Sequence, residues 1–506
     1  MRTPTCKFLT ALWLAAAPGV AAEERPMNVV FILADDLGWA DTSLYGHTSL
    51  YETPNIERLA KRGMTFTRAY AASPLCSPTR ASILTGQTPA RHGSTAPQHH
   101  LGEKRLTAGL KDSAAPKNKV IMPESATRLD TAFPTLGKLI RAANHRTGHF
   151  GKWHLGPAPY SPLQHGFQVD LPHWPGPGPA GSFLAPWKYK DFEAKSEGEH
   201  IEDRMAQEAV SWMRMVKDEP FFLNYWQFSV HAPFDAKPDL IERYRGKIDP
   251  QSAQRSPTYA AMVHSLDDAV GTLLDAVDAM DLASRTIIIF FSDNGGNMYN
   301  GIKESGADGG KFITAPTSNN PLRGGKATIY EGGIRVPCIV VWPGVTEPGS
   351  RSDALIQSTD FYPLLLAALG IDPPADWPLD GVDFQPALRG ESFDRGPIFT
   401  YFPHSPNVPD WLPPSVAVHA GTWKLIRIFH HGPDGAHDYQ LYNLQDDIGE
   451  QNDLAQSMPE KVRELDALIG EHLQSTAAVV PVVNPEFDPA QFDPGKIGVQ
   501  VGGLRK

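Results

Sequence analysis

Three features of the sequence predict an α/β protein in which a large, mostly parallel sheet is sandwiched by helices and a smaller antiparallel sheet with one helix follows. Short apolar runs alternate with helix-period segments through the long N-terminal part, as in a sheet covered on both faces. Two of the intervening segments carry a clear amphipathic stripe. After residue 390 the rhythm changes to short runs joined by turns.

In chain order, the expected strands are Asn28–Ala34, 65–70, 147–151, 221–227, Thr286–Ser292 and 337–342. The two helices are Ile201–Val216, with Ile201, Met205, Ala209 and Trp212 or Met213 in register, and 259–277, with Met262, Val263, Leu266, Val270 and Leu273. Residues 95–125 and 155–195 lose periodicity and accumulate Pro, Gly, His and Ser. Loops of that length either line a substrate rim or cover the sheet. The runs Ile398–Phe402, 415–419, 423–429 and 439–443, with a helix over 459–474, form the small sheet. The organisation read from the chain is a leader over 1–22, a catalytic domain over 23–390, and a C-terminal subdomain and tail over 391–506.

Arg2 and Lys7 precede an apolar run from Phe8 to Ala17, and Val20-Ala21-Ala22 offers small residues for cleavage, the pattern of a signal peptide. That run is shorter than the roughly 20 apolar residues a membrane span needs, so a periplasmic or secreted product is expected. The net charge of −11 excludes a phosphate-neutralising surface, and nucleic acid is not an expected partner. Without the leader only Cys76 and Cys338 remain; Cys338 reads as a small buried thiol, which leaves Cys76 as the candidate reactive one.

Ligands of an open parallel sheet gather beyond the carboxyl ends of its strands. Asn28–Ala34 delivers Asp35 and Asp36 there, and Thr286–Ser292 delivers Asp293 and Asn294. Three carboxylates and an amide carbonyl are hard oxygen ligands suited to Ca²⁺ or Mg²⁺, although Asp and Asn are also common in strand-end turns. A third strand end leads into Cys76-Ser77-Pro78-Thr79-Arg80. Pro78 suits a first helical turn, so Cys76 sits at a helix N-terminus with Arg80 one turn on, a positive setting that favours an anion.

Cys76-x-Pro78-x-Arg80 continuing to Leu84-Thr85-Gly86 resembles the hallmark of the type I sulfatases, members of the alkaline-phosphatase-like superfamily. The segments Ala34-Asp35-Asp36-Leu37-Gly38, Gly151-Lys152-Trp153-His154-Leu155-Gly156, Ser292-Asp293-Asn294-Gly295, and Arg323 to Lys326 through Glu331 to Pro337 follow in family order. The resemblance, over residues 27–455, implies an alkaline-phosphatase-like fold and hydrolysis of sulfate esters, with a sulfated glycan as the substrate class. It further implies that Cys76 is oxidised by a formylglycine-generating or anaerobic maturation enzyme. One hydroxyl of the hydrated aldehyde attacks sulfur, and the other allows release by C–O cleavage.

Carried over by position, Asp35, Asp36, Asp293, Asn294 and the oxidised Cys76 hold one calcium ion, magnesium being the alternative. Arg80, Lys152 and Lys326 surround the sulfate, His154 is the base that assists collapse of the intermediate, and His231, in Ser229-Val230-His231-Ala232-Pro233, serves the leaving group. His99, His100, His173, Trp174, His404, His430 and His431 are further candidate contacts, for which packing is the commoner role. Two other readings stay open: a phosphonate or phosphodiester hydrolase on the same fold, and an unmatured glycan-binding protein without catalysis.

Overall fold

The structure is a computed structural model that describes residues 26–505. The expected leader lies outside the described residues, and among them no helix is long and apolar enough to cross a membrane. The main sheet has eight strands: Asn28–Ala34 (β1), Met64–Phe66 (β2), Arg146–Gly151 (β3), Val169–Leu171 (β4), Phe221–Trp226 (β5), Thr286–Ser292 (β6), Cys338–Val341 (β7) and Ser350–Ser352 (β8). Their spatial order is β8-β2-β7-β6-β1-β5-β3-β4. β6, β1, β5, β3 and β4 run parallel, so five adjacent strands end together at one edge.

Every residue of β1 is buried, because both faces of the sheet are covered. Val30, Ile32 and Ala34 meet helices Ile201–Val216 and Pro257–Ala279, while Val29, Phe31 and Leu33 meet Cys76–Thr85 and Phe361–Ala368. These helices are α2, α3, α1 and α4 in the numbering by chain position. The stripe expected on α2 is the buried one, and α3 begins two residues earlier than its apolar period because Pro257 occupies its first turn and Ser256 Oγ accepts from Tyr259 N at 3.0 Å.

Two expectations are revised. The strand expected over 65–70 is split: β2 stays in the main sheet, and Ala69–Tyr70 bends away to pair with Ile356–Gln357. The strand expected over 337–342 runs antiparallel to both of its neighbours. The long segment after β6 remains at the ligand end of the sheet, so the chain re-enters β7 from the end at which it left β6.

The small sheet consists of Ile398–Phe402 (β9), Ser415–Ala420 (β10), Trp423–Ile428 (β11) and Asp438–Asn443 (β12), all antiparallel in sequence order. Alternation divides its residues between two faces. Val416, Val418, Leu425 and Leu441 pack on helix Pro459–Ser475 (α5), whereas Ala417, Ile426 and Tyr442 pack on Leu75, Ala327 and Ile329. This second face props the backbone on either side of the candidate site. A buried ionic cluster completes the junction: Lys424 Nζ lies 3.1 Å from Glu331 Oε1 and 2.7 Å from Glu450 Oε1.

Candidate active site

Beyond the carboxyl ends of β1, β6, β3 and β5, the structure gathers all ten residues singled out from the sequence. Asp35 and Asp36 leave β1, Asp293 and Asn294 leave β6, and Lys152 and His154 leave β3. Gly151 makes the last of these turns possible: its φ is +106°, and a Cβ there would stand 1.9 Å from the Trp226 carbonyl oxygen. Gly295 plays the corresponding part after β6, where a Cβ would stand 1.8 Å from the Gly332 carbonyl oxygen. Asp36 and His154 themselves hold left-handed backbone, at φ +62° and +54°, conformations that non-glycine residues occupy at a cost and that cluster at functional sites.

Cys76 opens α1 and is buried. Ligand atoms of Asp35, Cys76 and Asp293 all lie within 4.8 Å of one another, as do those of Asp35, Asp36 and His231. Lys152 Nζ donates to Asp35 Oδ2 at 2.5 Å, and Lys326 Nζ donates to Asp36 Oδ2 at 2.7 Å. Arg80 is pinned from three sides: Nε donates to Asp293 Oδ2 at 2.8 Å, an Nη to the Lys152 carbonyl at 2.6 Å, and its guanidinium lies 5.2 Å above the Trp226 ring.

Whether these residues suit a cation is answered by their orphaned oxygens. Asp35 Oδ1 and Asn294 Oδ1 are buried without a hydrogen-bond partner, while Asn294 Nδ2 is occupied by Asp36 Oδ1 at 2.8 Å. A buried acceptor left unpaired is expensive, and a hard divalent cation is the group that satisfies several at once. Electrostatics agree. Burial and the neighbouring Asp293 push the Asp35 carboxyl well above the usual range. Burial acts the same way on Asp36, but Lys326, His231 and Lys152 outweigh it and hold that carboxyl low. The donor set fits a calcium-like ion.

The cations expected at this helix start are present, but they do not make the Cys76 thiol acidic. Burial pushes it up, outweighing Lys152 and Lys326. An unmodified Cys76 is therefore a protonated thiol and a poor nucleophile. Burial and Lys152 hold His154 well below its usual range, so its ring is neutral; Nδ1 lies 3.4 Å from Cys76 Sγ. His231 is neutral for the same reason, with burial and Lys326 lowering it, and its Nδ1 meets the Ala232 carbonyl at 2.6 Å.

One residue was undervalued in the sequence. His100, from the irregular segment 95–125, places Nδ1 2.9 Å from His154 Nε2. No local pattern marks it, since a loop histidine acquires its partner only on folding. The other candidate contacts serve elsewhere: His99 pairs with Ser94, His404 with Thr95, His173 with Asp170, and His430 and His431 with carbonyls of the C-terminal lobe. Of the two roles open to 155–195, covering the core is evident, because Ala180, Phe183, Tyr189 and Phe192 are buried with α2 and Phe228, and Trp174 packs against them.

The turn that carries His231 is held by a buried carboxylate. Glu202 Oε1 accepts from Phe228 N and Ser229 N, both at 2.8 Å, while Oε2 has no partner. Burial pushes this carboxyl up to about 7, against the pull of those hydrogen bonds. The folded state thus keeps a proton that the unfolded chain loses above its ordinary glutamate range. The stability from this group is full below about pH 4.5 and is lost as pH rises through about 7. Glu202→Gln should remove that slope, so the unfolding free energy of the wild type from urea titration should fall relative to the variant between pH 5 and 8, by up to about 3 kcal/mol. Parallel midpoints across that window would show that Glu202 is ionised in the folded state.

The comparisons with known proteins agree with this geometry. A sulfatase family model matches residues 27–371, and a model of the C-terminal region of N-sulphoglucosamine sulphohydrolase matches 325–478. N-acetylgalactosamine-6-sulfatase of Rattus norvegicus is 33% identical over 418 residues, covering 78% of this chain and 71% of its own. Arylsulfatase A of Bos taurus is 31% identical over 505 residues, covering 89% of this chain and 88% of its own. The crystal structure of Ps i-CgsB superposes with a TM-score of 0.70 at 26% identity, covering 89% of this chain and 93% of its own. The chain belongs to the sulfatase family and is a sulfuric ester hydrolase.

Proposed function

We propose that this enzyme removes sulfate from a sulfated carbohydrate, using a formylglycine made from Cys76 and a calcium ion held by Asp35, Asp36, Asp293 and Asn294 together with position 76. The observation that carries the reading is the meeting of Cys76 with Asp35 and Asp293, all within ligand distance, at a site where two buried acceptors await a partner. The sugar class rests on the relatives: one is named an N-acetylgalactosamine-6-sulfatase, and Ps i-CgsB has also been solved with k-i-k-neocarrahexaose. Export through the N-terminal leader and oxidation by a maturation enzyme belong to the same proposal.

When bound, calcium supplies Lewis acidity toward a sulfate oxygen and toward the hydroxyls at position 76. The remaining work falls to this chain's own side chains. Arg80, Lys152 and Lys326 form a fixed cationic cradle, with little reorganisation left for the reaction. Asp293 and Asp35 outweigh burial and keep Arg80 charged, and Asp36 does the same for Lys326. His154, neutral and adjacent to position 76, takes the hydroxyl proton on Nδ1. The Ala232 carbonyl accepts Nδ1–H of the neutral His231, so Nε2 carries no proton of its own; it takes one from Lys326, held on the same Asp36 carboxylate, and passes it to the departing sugar oxygen.

The test is sulfate release from a panel of sulfated mono- and oligosaccharides, with an aryl sulfate and a phosphate diester alongside. The aryl sulfate should turn over faster than the diester, and chelation should lower the rate by ~100-fold or more until calcium is restored. Faster diester hydrolysis, or full activity after chelation, would reject the assignment. Intact-mass measurement should show CH2–SH exchanged for CHO at position 76; a persisting thiol would favour a binding protein.

A further inference from the structure

His154 lies between two partners. Nδ1 faces position 76 at 3.4 Å from Sγ, and Nε2 meets His100 Nδ1 at 2.9 Å. Its backbone cannot adjust freely, because its carbonyl accepts from Ser77 Oγ at 2.7 Å and its φ is +54°. The two rings lie 5.0 Å apart at an interplanar angle of 39°, which suits a hydrogen bond between edge nitrogens rather than stacking. His154 is fully buried, and His100 is exposed.

A neutral imidazole has one donor nitrogen and one acceptor nitrogen, and the bond made by one decides the state of the other. Between His154 Nε2 and His100 Nδ1 there is room for one proton. If it belongs to His154, the lone pair of His154 falls on Nδ1, facing position 76, where a base is needed. If it belongs to His100, Nδ1 of His154 carries a proton and cannot accept another.

We propose that His100 is a positioning residue that sets the tautomer of His154: its Nδ1 accepts from His154 Nε2–H, so that the lone pair of His154 Nδ1 faces the nucleophile. The arrangement rests on the reading of His154 as the base. Burial first, then Lys152 and Arg128, disfavours a positive charge on the His100 ring, so one of its two nitrogens is an acceptor. Arg128 is itself fixed, donating to the carbonyls of His99 and Leu101 on either side of His100. This gives the irregular segment 95–125 a function beyond cover.

Nitrogen NMR of the histidine-labelled full chain reads the tautomer directly. His154 should show a protonated Nε2 and a pyridine-like Nδ1, and His100→Ala should mix the two forms. The same variant should lose roughly 10- to 100-fold in kcat on an aryl sulfate with KM unchanged. His100→Asn, whose Oδ1 can accept in place of Nδ1, should recover most of that loss. A proton on Nδ1 of His154 in the wild type, or a His100→Ala variant with unaltered tautomer and kcat, overturns the proposal. Failure of the broader reading is distinguishable: His154→Ala would then keep full turnover while the wild-type tautomer still depended on His100.

Discussion

Cys76→Ala is expected to lower turnover of any sulfate ester by ~10⁴-fold or more while leaving the protein folded. The site supports this in two ways. Position 76 is the one point at which the acidic cluster, the cationic side chains and the His154 base converge. Burial also pushes the native thiol up, outweighing Lys152 and Lys326, so a thiolate is disfavoured here and the proposed nucleophile is the oxidised side chain. Alanine removes that chemistry with almost no change in packing at the start of α1. Rates on an aryl sulfate, paired with a melting curve, decide the matter: wild-type turnover by a folded Cys76→Ala enzyme would remove the nucleophile from the proposal.

The second large effect is on stability. Lys424→Met should cost about 3–5 kcal/mol, because it strands two buried carboxylates. Lys424 is the cation shared by Glu331 and Glu450, and all three are inaccessible to solvent. The cluster is dense: His419 Nε2 lies 2.8 Å from Glu331 Oε1, Tyr70 donates to Glu331 Oε2 at 2.8 Å, and Glu331 N donates to Glu450 Oε2 at 2.7 Å. Without the ammonium, like charges remain side by side in a dry junction. Burial already pushes Glu450 upward, so it would take up a proton, and the loss should be larger at pH 8 than at pH 5. Chemical denaturation at both values measures this; a loss below about 1 kcal/mol would place the pair in the class of solvated ion pairs.

Because Glu331 lies between the Lys326 loop and β7, the same variant bears on activity. The small sheet packs Ala417 and Ile426 against Leu75 and Ala327, the residues preceding Cys76 and following Lys326. A C-terminal lobe that loosens should move both.

Asn28–Ala34 and Thr286–Ser292 were legible to the residue because continuous apolar runs ended in Asp and Asn admit few other readings. The convergence of the ten candidate residues was legible as well, since most of them follow a strand or lie near the start of a helix within a short motif. The antiparallel direction of β7 was not, because a strand's direction depends on where the preceding connection delivers it. Nor was the break after Phe66, where pairing with Ser350–Ser352 ends and pairing with Ile356–Gln357 begins. The shift of the Cys76 thiol could not be read from helix position, as burial is a property of the packed site.

By itself, then, the amino-acid order determined which side chains are candidates for the chemistry and the kind of sheet that bears them, since strand period, turn residues and local spacing are short-range properties of a chain. Only the tertiary structure decided which carboxylate each lysine holds, which oxygens are left without partners, and that His100 closes on His154. Those outcomes depend on distances between segments remote in sequence, such as Asp36 and Lys326 at 2.7 Å, and on how completely water is removed from between them.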